Sequence, residues 1–118
     1  MNPRETRPPK HLKPATRRWY RQIARDYVLE SHHLRLLQLA GEAWDRCEAA
    51  REAVDKYGLV LRTGSGNSWK TNPGVAIERD SRLSFARLLR ELDLDVEPPG
   101  VPRTGPPALR SNSNRRQH

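Results

Sequence analysis

The chain has 118 residues, and its 22 lysines and arginines outnumber its 14 aspartates and glutamates, which gives a formal net charge of +8. Only 35% of the residues are apolar, and no run approaches the roughly 20 apolar residues that a membrane-spanning helix needs, which excludes an integral membrane protein. This length predicts one domain with a small core, for which oligomerisation is a common source of extra stability. The polar N-terminal stretch and the single cysteine, Cys47, favour a cytoplasmic protein.

The positive charge is concentrated at the two ends of the chain. Residues 1–30 carry an excess of five positive charges, residues 31–95 are balanced, and residues 96–118 carry an excess of three. Such an excess is typical of proteins that bind nucleic acid. Basic tails also occur where they serve solubility alone, so the distribution favours a polyanionic partner without naming it.

Residues 1–13 combine prolines and charges with little to bury, which predicts a disordered basic arm. Pro14 suits the first turn of a helix that ends between residues 24 and 27. Trp19, Ile23 and Tyr27 recur every four residues, so we expect them to form the apolar face of this helix. The arginines of the helix then point to solvent, where such groups can contact phosphates without reading the base sequence. The candidate DNA contacts are the basic residues of this region: Lys10, Lys13, Arg17, Arg18, Arg21 and Arg25.

The longest predicted element is a helix from Ser31 to Tyr57, with Ser31 as its N-cap and Gly58 as its terminator. Its apolar residues form a band wider than the single stripe of an ordinary surface helix. Either the flanking helices cover this band or a second copy of the chain does, and the spacing leaves both open. The candidate oligomer contacts are Leu36, Leu37, Trp44 and, on the following hairpin, Trp69.

Two short extended runs flank a glycine-rich turn at residues 63–67, which predicts a β-hairpin. Asn72 then caps a helix that has Pro73 in its first turn and extends to about Leu92, antiparallel to the long helix. Residues 96–118 predict a disordered, proline-rich basic tail. The expected fold is therefore all-α, with a short N-terminal helix and two long helices joined by the hairpin, in one domain from residue 14 to 95.

The sequence offers no set of residues suited to catalysis, a metal or a cofactor. The glycines at 64 and 66 lack the lysine and hydroxyl residues of a phosphate-binding loop. His32 and His33 are adjacent and are expected to point to different sides of a helix, which argues against zinc. The carboxylates of the long helix, from Glu42 and Asp45 onward, alternate with arginines and predict surface ion pairs.

The order and spacing of these elements resemble the small subunit of phage terminase. The resemblance covers about residues 11–99: His11-Leu12 and Trp19-Tyr20, then YVLESHHLRLLQLAGEAWDRCEAAREAVDKYGL, then NPGVAIERDSRLSFARLLRELDLD followed by Pro98-Pro99. Two positions depart from the pattern. His33 stands where an acidic residue is expected, which bears on the cap of the long helix, and Asp93 stands where glycine is expected.

The resemblance implies a non-catalytic subunit that assembles into a ring in the cytoplasm of the host cell and binds double-stranded viral DNA. It also implies hand-over of that DNA to a separate large subunit, which carries the ATPase and the nuclease, with no membrane involved. The residues alone leave a second hypothesis open. In it, residues 14–57 form a helix-turn-helix of a transcriptional regulator, and the long helix reads the DNA.

Overall fold

The computed structural model describes residues 7–64, 66, 68–94 and 96–100. Helix α1 spans Pro14–Asp26, α2 Ser31–Tyr57 and α3 Pro73–Leu92, and strands β1 (Val60–Arg62) and β2 (Trp69–Thr71) lie between α2 and α3. The strands pair antiparallel, with Leu61 opposite Lys70. This arrangement confirms the predicted all-α fold with a small hairpin. None of the helices in the described part of the chain is long and apolar enough to cross a bilayer.

The helix boundaries follow from local chemistry, with one correction. Pro14 and Pro73 occupy the first turns of α1 and α3 as predicted, and the Asn72 side chain accepts a hydrogen bond from the Gly74 N–H at 2.9 Å. For α2, the N-cap is Glu30, and the predicted cap Ser31 is the first helical residue. The Glu30 N–H donates to Nδ1 of His33 at 3.2 Å, so the departure from the family pattern at residue 33 takes part in the cap.

Both long helices end at residues with positive φ. Gly58 has φ 90° and closes α2 with a hydrogen bond from its N–H to the Val54 carbonyl at 2.8 Å. Asp93 has φ 56° in the left-handed region at the end of α3. Glycine is the least strained residue in that conformation, and aspartate is one of the few others that tolerate it. This explains why aspartate can stand where the resemblance leads us to expect glycine.

Helices α2 and α3 form an antiparallel pair. The end of α2 meets the start of α3, where a Cβ at Gly74 would lie 3.2 Å from the Ala50 carbonyl oxygen. Further along the pair, the rings of Trp44 and Phe85 pack with centroids 5.0 Å apart. Leu37 and Ala40 of α2 are fully inaccessible to solvent. Much of the wide apolar band of α2 is therefore covered within the chain.

Helix α1 completes the core from the other side. Trp19 is buried, its ring centroid lies 6.0 Å from that of Phe85, and its Nε1–H donates to the Glu97 carbonyl at 2.7 Å. Residues 96–100 therefore pack onto the helices, and the predicted disordered tail is wrong for this part. The rest of that tail, residues 101–118, lies outside the described residues.

The N-terminal arm is also part of the fold from residue 7 onward. Leu12 is only 2% exposed, and it lies over Gly41, where a Cβ would be 3.2 Å from the nearest Leu12 methyl carbon. His11 Nε2 lies 2.7 Å from the Glu42 carboxylate. The prediction that residues 1–13 are disordered is therefore wrong for residues 7–13, because glycine on α2 leaves room for the leucine. Residues 1–6 lie outside the described residues.

Candidate nucleic-acid interface

Asp45 of α2 holds the first turn of α1. Its Oδ2 accepts a hydrogen bond from the Lys13 N–H at 2.9 Å, and its Oδ1 accepts one from the Thr16 hydroxyl at 2.6 Å. Lys13 is the N-cap of α1 and provides no side-chain cap of its own, so the carboxylate satisfies a backbone donor that local sequence leaves open. The expectation that Glu42 and Asp45 form surface ion pairs with neighbouring arginines is therefore wrong. Both carboxylates bind the segment that leads into α1.

The arginines of α1 occupy one face of the helix. At about 3.6 residues per turn, Arg17, Arg18, Arg21 and Arg25 fall within an arc of roughly 100°. The opposite face is buried against the core through Trp19, Ile23 and their neighbours. Within the described residues, none of the four arginines pairs with a carboxylate. Arg17 donates to the Lys10 carbonyl at 3.1 Å, which ties its guanidinium to the arm.

These arginines line a shallow groove, which we call the arginine groove. Its wall consists of Arg7, Pro8, Pro14, Arg17, Arg18, Arg21, Ala24 and Arg25. Among the described residues no acidic one lines it, so the cationic groups of these residues dominate its electrostatic potential. Such an array can neutralise phosphates along a nucleic acid backbone and displace their counterions.

The structure modifies the predicted set of DNA contacts at the arm. Lys10 and Lys13 are exposed, but neither lines the arginine groove. Arg7, which was not among the predicted contacts, does line it. Sequence reasoning took only the basic residues nearest to α1, and nothing in the local pattern shows that the arm returns Arg7 to the side of that helix. The buried Leu12 five residues later is the signal that could have placed it.

The four predicted oligomer contacts have different surroundings. Leu37 is fully buried in the core and leaves no surface for a neighbouring copy. Leu36 and Trp44 are partly buried and pack against the same core. Trp69 is 60% exposed, and the Arg62 guanidinium lies 5.3 Å from its ring centroid on the paired strand.

One group of side chains in the described part of the chain has the spacing of metal ligands. Donor atoms of Glu30, His32 and His33 lie within 4.8 Å of one another, and the two imidazole centroids are 4.0 Å apart. The expectation that adjacent histidines point to different sides is therefore wrong here. However, His33 Nδ1 accepts the capping N–H of Glu30 and the Glu30 carboxylate lies 3.5 Å from His32, and the positive end of a helix dipole disfavours a cation. The arrangement acts as a helix cap.

Cys47 lies inside a polar network between α2 and α3. Its thiol is buried and lies 3.7 Å from a Glu78 carboxylate oxygen, which also receives Arg51 at 3.5 Å and Arg82 at 3.3 Å. Burial, and then the charge of Glu78, raise the pKa of the thiol. A thiol with a raised pKa is a poor nucleophile at neutral pH. The network therefore joins the two helices, and its chemistry does not resemble that of a catalytic cysteine.

Comparison with known proteins agrees with the family to which the residues point. The family model described as "Phage terminase, small subunit" matches residues 16–97, which include α2, α3, the hairpin and all but the first two residues of α1. No curated protein and no solved structure matches the chain. Because the match spans most of the sequence, the chain belongs to the phage terminase small-subunit family, whose role is in phage DNA packaging.

Proposed function

We propose that this subunit binds double-stranded viral DNA through the arginine face of α1. The observation that carries the proposal is the row of guanidinium groups on one side of a helix whose other side is anchored in the core. Arginines that are not paired with a carboxylate give up no ion pair when they bind phosphates. They contact the DNA backbone independently of the base sequence. In this proposal DNA affinity is strongly salt-dependent and weakly sequence-dependent.

We propose further that copies of the subunit assemble into a ring through the hairpin end of the molecule. Tyr57, Leu59, Val60 and Trp69 are all more than half exposed there. The hairpin has only three residues per strand, and two short uncovered strands are marginally stable in water. A neighbouring copy that covers this surface would stabilise the hairpin, with Leu36 and Trp44 as secondary contacts.

In the assembled state, many copies of the arginine groove act on one DNA molecule. Each groove binds phosphates weakly, but linked sites raise the effective concentration of the next contact and so the overall affinity. The ring would then present the DNA to the large terminase subunit in the cytoplasm of the infected cell. The subunit itself would contribute binding and positioning without catalysis.

The alternative of a helix-turn-helix regulator has one feature in its favour, the short connection at residues 27–30 between α1 and α2. In that motif the second helix enters the major groove. Here the second helix is α2, which is packed against both α1 and α3 and has Leu37 and Ala40 at zero exposure. The cationic surface lies on α1 instead, so DNA binding through α2 is the weaker reading.

A charge-removal experiment tests the DNA-binding proposal. One variant replaces the α1 arginines with glutamine, and a matched control replaces the same number of exposed arginines on α2 and α3: Arg46, Arg79, Arg87 and Arg90. Fluorescence anisotropy with a labelled duplex at several salt concentrations gives the slope of log K against log salt. We expect the α1 variant to flatten this slope by about 0.9 for each lost phosphate contact, with a smaller change in the control. Equal losses in both variants would refute a specific role for α1.

The ring proposal is tested separately by measuring the mass of the native assembly by light scattering, with and without DNA. A stable monomer at micromolar concentration in both conditions would contradict it. This outcome would leave the DNA-binding proposal standing, because the arginine groove is complete within one chain.

A further inference from the structure

A second groove lies between the N-terminal arm, α1 and the first turns of α2. We call it the arm groove, and its lining consists of Arg7, Pro9, Tyr20, Ser31, Leu34, Arg35, Gln38 and Leu39. Two guanidinium groups line it, and no carboxylate of the described residues does. Arg7 and Arg35 form no ion pair within the described residues. The groove is therefore electrostatically suited to an anion.

Tyr20 supplies an independent sign that this groove has a ligand. The residue is 97% buried, since only 3% of its surface is exposed, and its hydroxyl has no hydrogen-bond partner anywhere in the described part of the chain. Burial alone raises its pKa, so the phenol stays protonated and remains a donor. Buried tyrosine hydroxyls normally have a partner. An acceptor that enters the groove would provide one.

Ser31 adds a further donor to the groove, whereas the Gln38 NH₂ group donates to Glu42 at 3.2 Å. Ser31 is the first residue of the 27-residue helix α2, so its hydroxyl stands at the positive end of the helix dipole. Guanidinium, hydroxyl and helix N-terminus together are the groups that bind phosphate in proteins. Pro9 and Leu39 add apolar surface beside them, which suits the sugar of a nucleic acid strand.

The arm groove continues the arginine groove. Arg7 lines both. On α1, Tyr20 lies about 60° around the helix from Arg17, next to the arginine face. We propose that the arm groove binds a phosphate of the same DNA molecule that lies on α1, with Arg7 and Arg35 neutralising its charge and the Tyr20 hydroxyl donating a hydrogen bond to it. This inference rests on the proposed DNA-binding function and extends it from α1 onto α2.

Tyr20→Phe removes the hydroxyl and keeps the ring. If the hydroxyl is an unpaired donor that awaits phosphate, the variant binds a labelled duplex roughly tenfold more weakly. The same variant without DNA becomes more stable, with a thermal midpoint higher by about 4 °C or more, because a buried hydroxyl without a partner is removed. A purely structural tyrosine would not give these opposite effects. Unchanged DNA affinity would overturn the assignment of Tyr20.

Arg35→Gln and Arg46→Gln form a matched pair, since both arginines are exposed on α2 and only Arg35 lines the arm groove. We expect Arg35→Gln to lower the salt slope by about 0.9 for each copy that contacts a phosphate, and Arg46→Gln to leave it unchanged. If the α1 arginine variant loses DNA binding while Arg35→Gln retains it fully, the inference fails and the proposed function stands. If the wild type binds no DNA at all, the proposed function itself fails.

A titration with inorganic phosphate separates DNA phosphate from a free anion. The probe is the backbone amide spectrum of residues 31–38 in the wild type and in Arg35→Gln. The inference expects shifts with the duplex that Arg35→Gln reduces, and only weak shifts with inorganic phosphate. Strong shifts with inorganic phosphate and none with the duplex would assign the groove to a free anion and overturn the proposal.

Discussion

Asp45→Asn is expected to loosen α1 from the rest of the molecule. The wild-type carboxylate accepts two hydrogen bonds, from the Lys13 N–H and from the Thr16 hydroxyl. Asparagine has nearly the same shape but only one acceptor oxygen, so its NH₂ group must face one of these two donors. If its oxygen keeps the Lys13 N–H, the NH₂ group faces the Thr16 hydroxyl, which must rotate to accept instead of donate; the substitution thus replaces two charge-assisted hydrogen bonds with neutral ones and removes the negative charge from the positive end of α1.

The size of the effect follows from the environment of the carboxylate. A hydrogen bond to a charged group contributes about 1.5–3 kcal/mol, and Thr16 is only 1% exposed. Asp45 itself is partly exposed, so water can compensate in part, which lowers the expected loss to about 2 kcal/mol. For a domain of this size, that loss lowers the thermal midpoint by roughly 10 °C.

Urea unfolding followed by tryptophan fluorescence measures this loss, because Trp19 and Trp44 both report on the core. The protein concentration is held constant, since association with other copies would add to the apparent stability. Glu52→Gln is the matched control, because Glu52 is an exposed carboxylate of the same helix with no ion pair within the described residues. We expect the control to change stability by less than about 0.5 kcal/mol. If Asp45→Asn is as stable as this control, Asp45 does not anchor α1.

Three further predictions concern other parts of the molecule. Gly74→Ala places a Cβ 3.2 Å from a backbone carbonyl oxygen of α2 that cannot move aside, so it is expected to destabilise the fold by about 1–3 kcal/mol in urea unfolding. Cys47 is expected to react slowly with a thiol reagent at neutral pH, and Glu78→Gln to speed the reaction, because the glutamate charge contributes to the raised pKa of the thiol. Trp69→Ser is expected to lower the mass of the assembly in light scattering, because it removes an exposed aromatic anchor at the proposed interface.

Each of these predictions has a control. Gly64→Ala tests the first, because a Cβ at Gly64 meets no atom within 4 Å; equal losses at both glycines would contradict the close-approach argument. For the thiol, an unchanged rate in the Glu78 variant would exclude electrostatic control by that residue. For the assembly, Val28→Ser removes another highly exposed apolar residue away from the hairpin. If both substitutions lower the mass equally, the hairpin is not the interface.

The stability of the protein at alkaline pH depends on two of the buried groups, the Cys47 thiol and the Tyr20 hydroxyl. The pKa values of Cys47 and Tyr20 are raised in the folded protein, by burial first and, for the cysteine, also by Glu78. The folded state therefore holds these protons more tightly than the unfolded state does. The resulting stabilisation is complete below the ordinary pKa values of these groups and is lost as the pH rises through the raised ones.

The features that the sequence predicted correctly depend on neighbouring residues. Pro14, Pro73 and Asn72 act within one turn of their own helix, and Gly58 ends α2 through its own φ angle. The three helices and the hairpin could therefore be placed from spacing and turn chemistry. The N-cap of α2 lies one residue before the predicted one because His33 accepts the backbone N–H of Glu30 and the Glu30 side chain accepts the backbone N–H of His33.

The features that the sequence did not reveal depend on contacts between distant residues. Asp45 binds residues about 30 positions earlier, and nothing in its local pattern separates it from a surface carboxylate. Leu12 is buried only because Gly41 leaves space on α2. Leu37 belongs to the same wide apolar band as the exposed Leu39, and only the packing of α1 and α3 decides which of the two is inaccessible.

These distant contacts also explain how so basic a segment can be held in place. Glu42 receives His11 and Asp45 receives the Lys13 N–H, so the acidic groups of α2 satisfy donors on the side of the arm and α1 that faces inward. On the outward side, no carboxylate in the part of the chain that the structure describes pairs with Arg18, Arg21 or Arg25, which remain exposed. The contacts with Glu42 and Asp45 therefore orient the segment, while the arginines on its outer face keep their positive charge. Because the groups that Asp45 binds and the arginines belong to the same segment, we expect Asp45→Asn to lower the proposed DNA affinity together with stability.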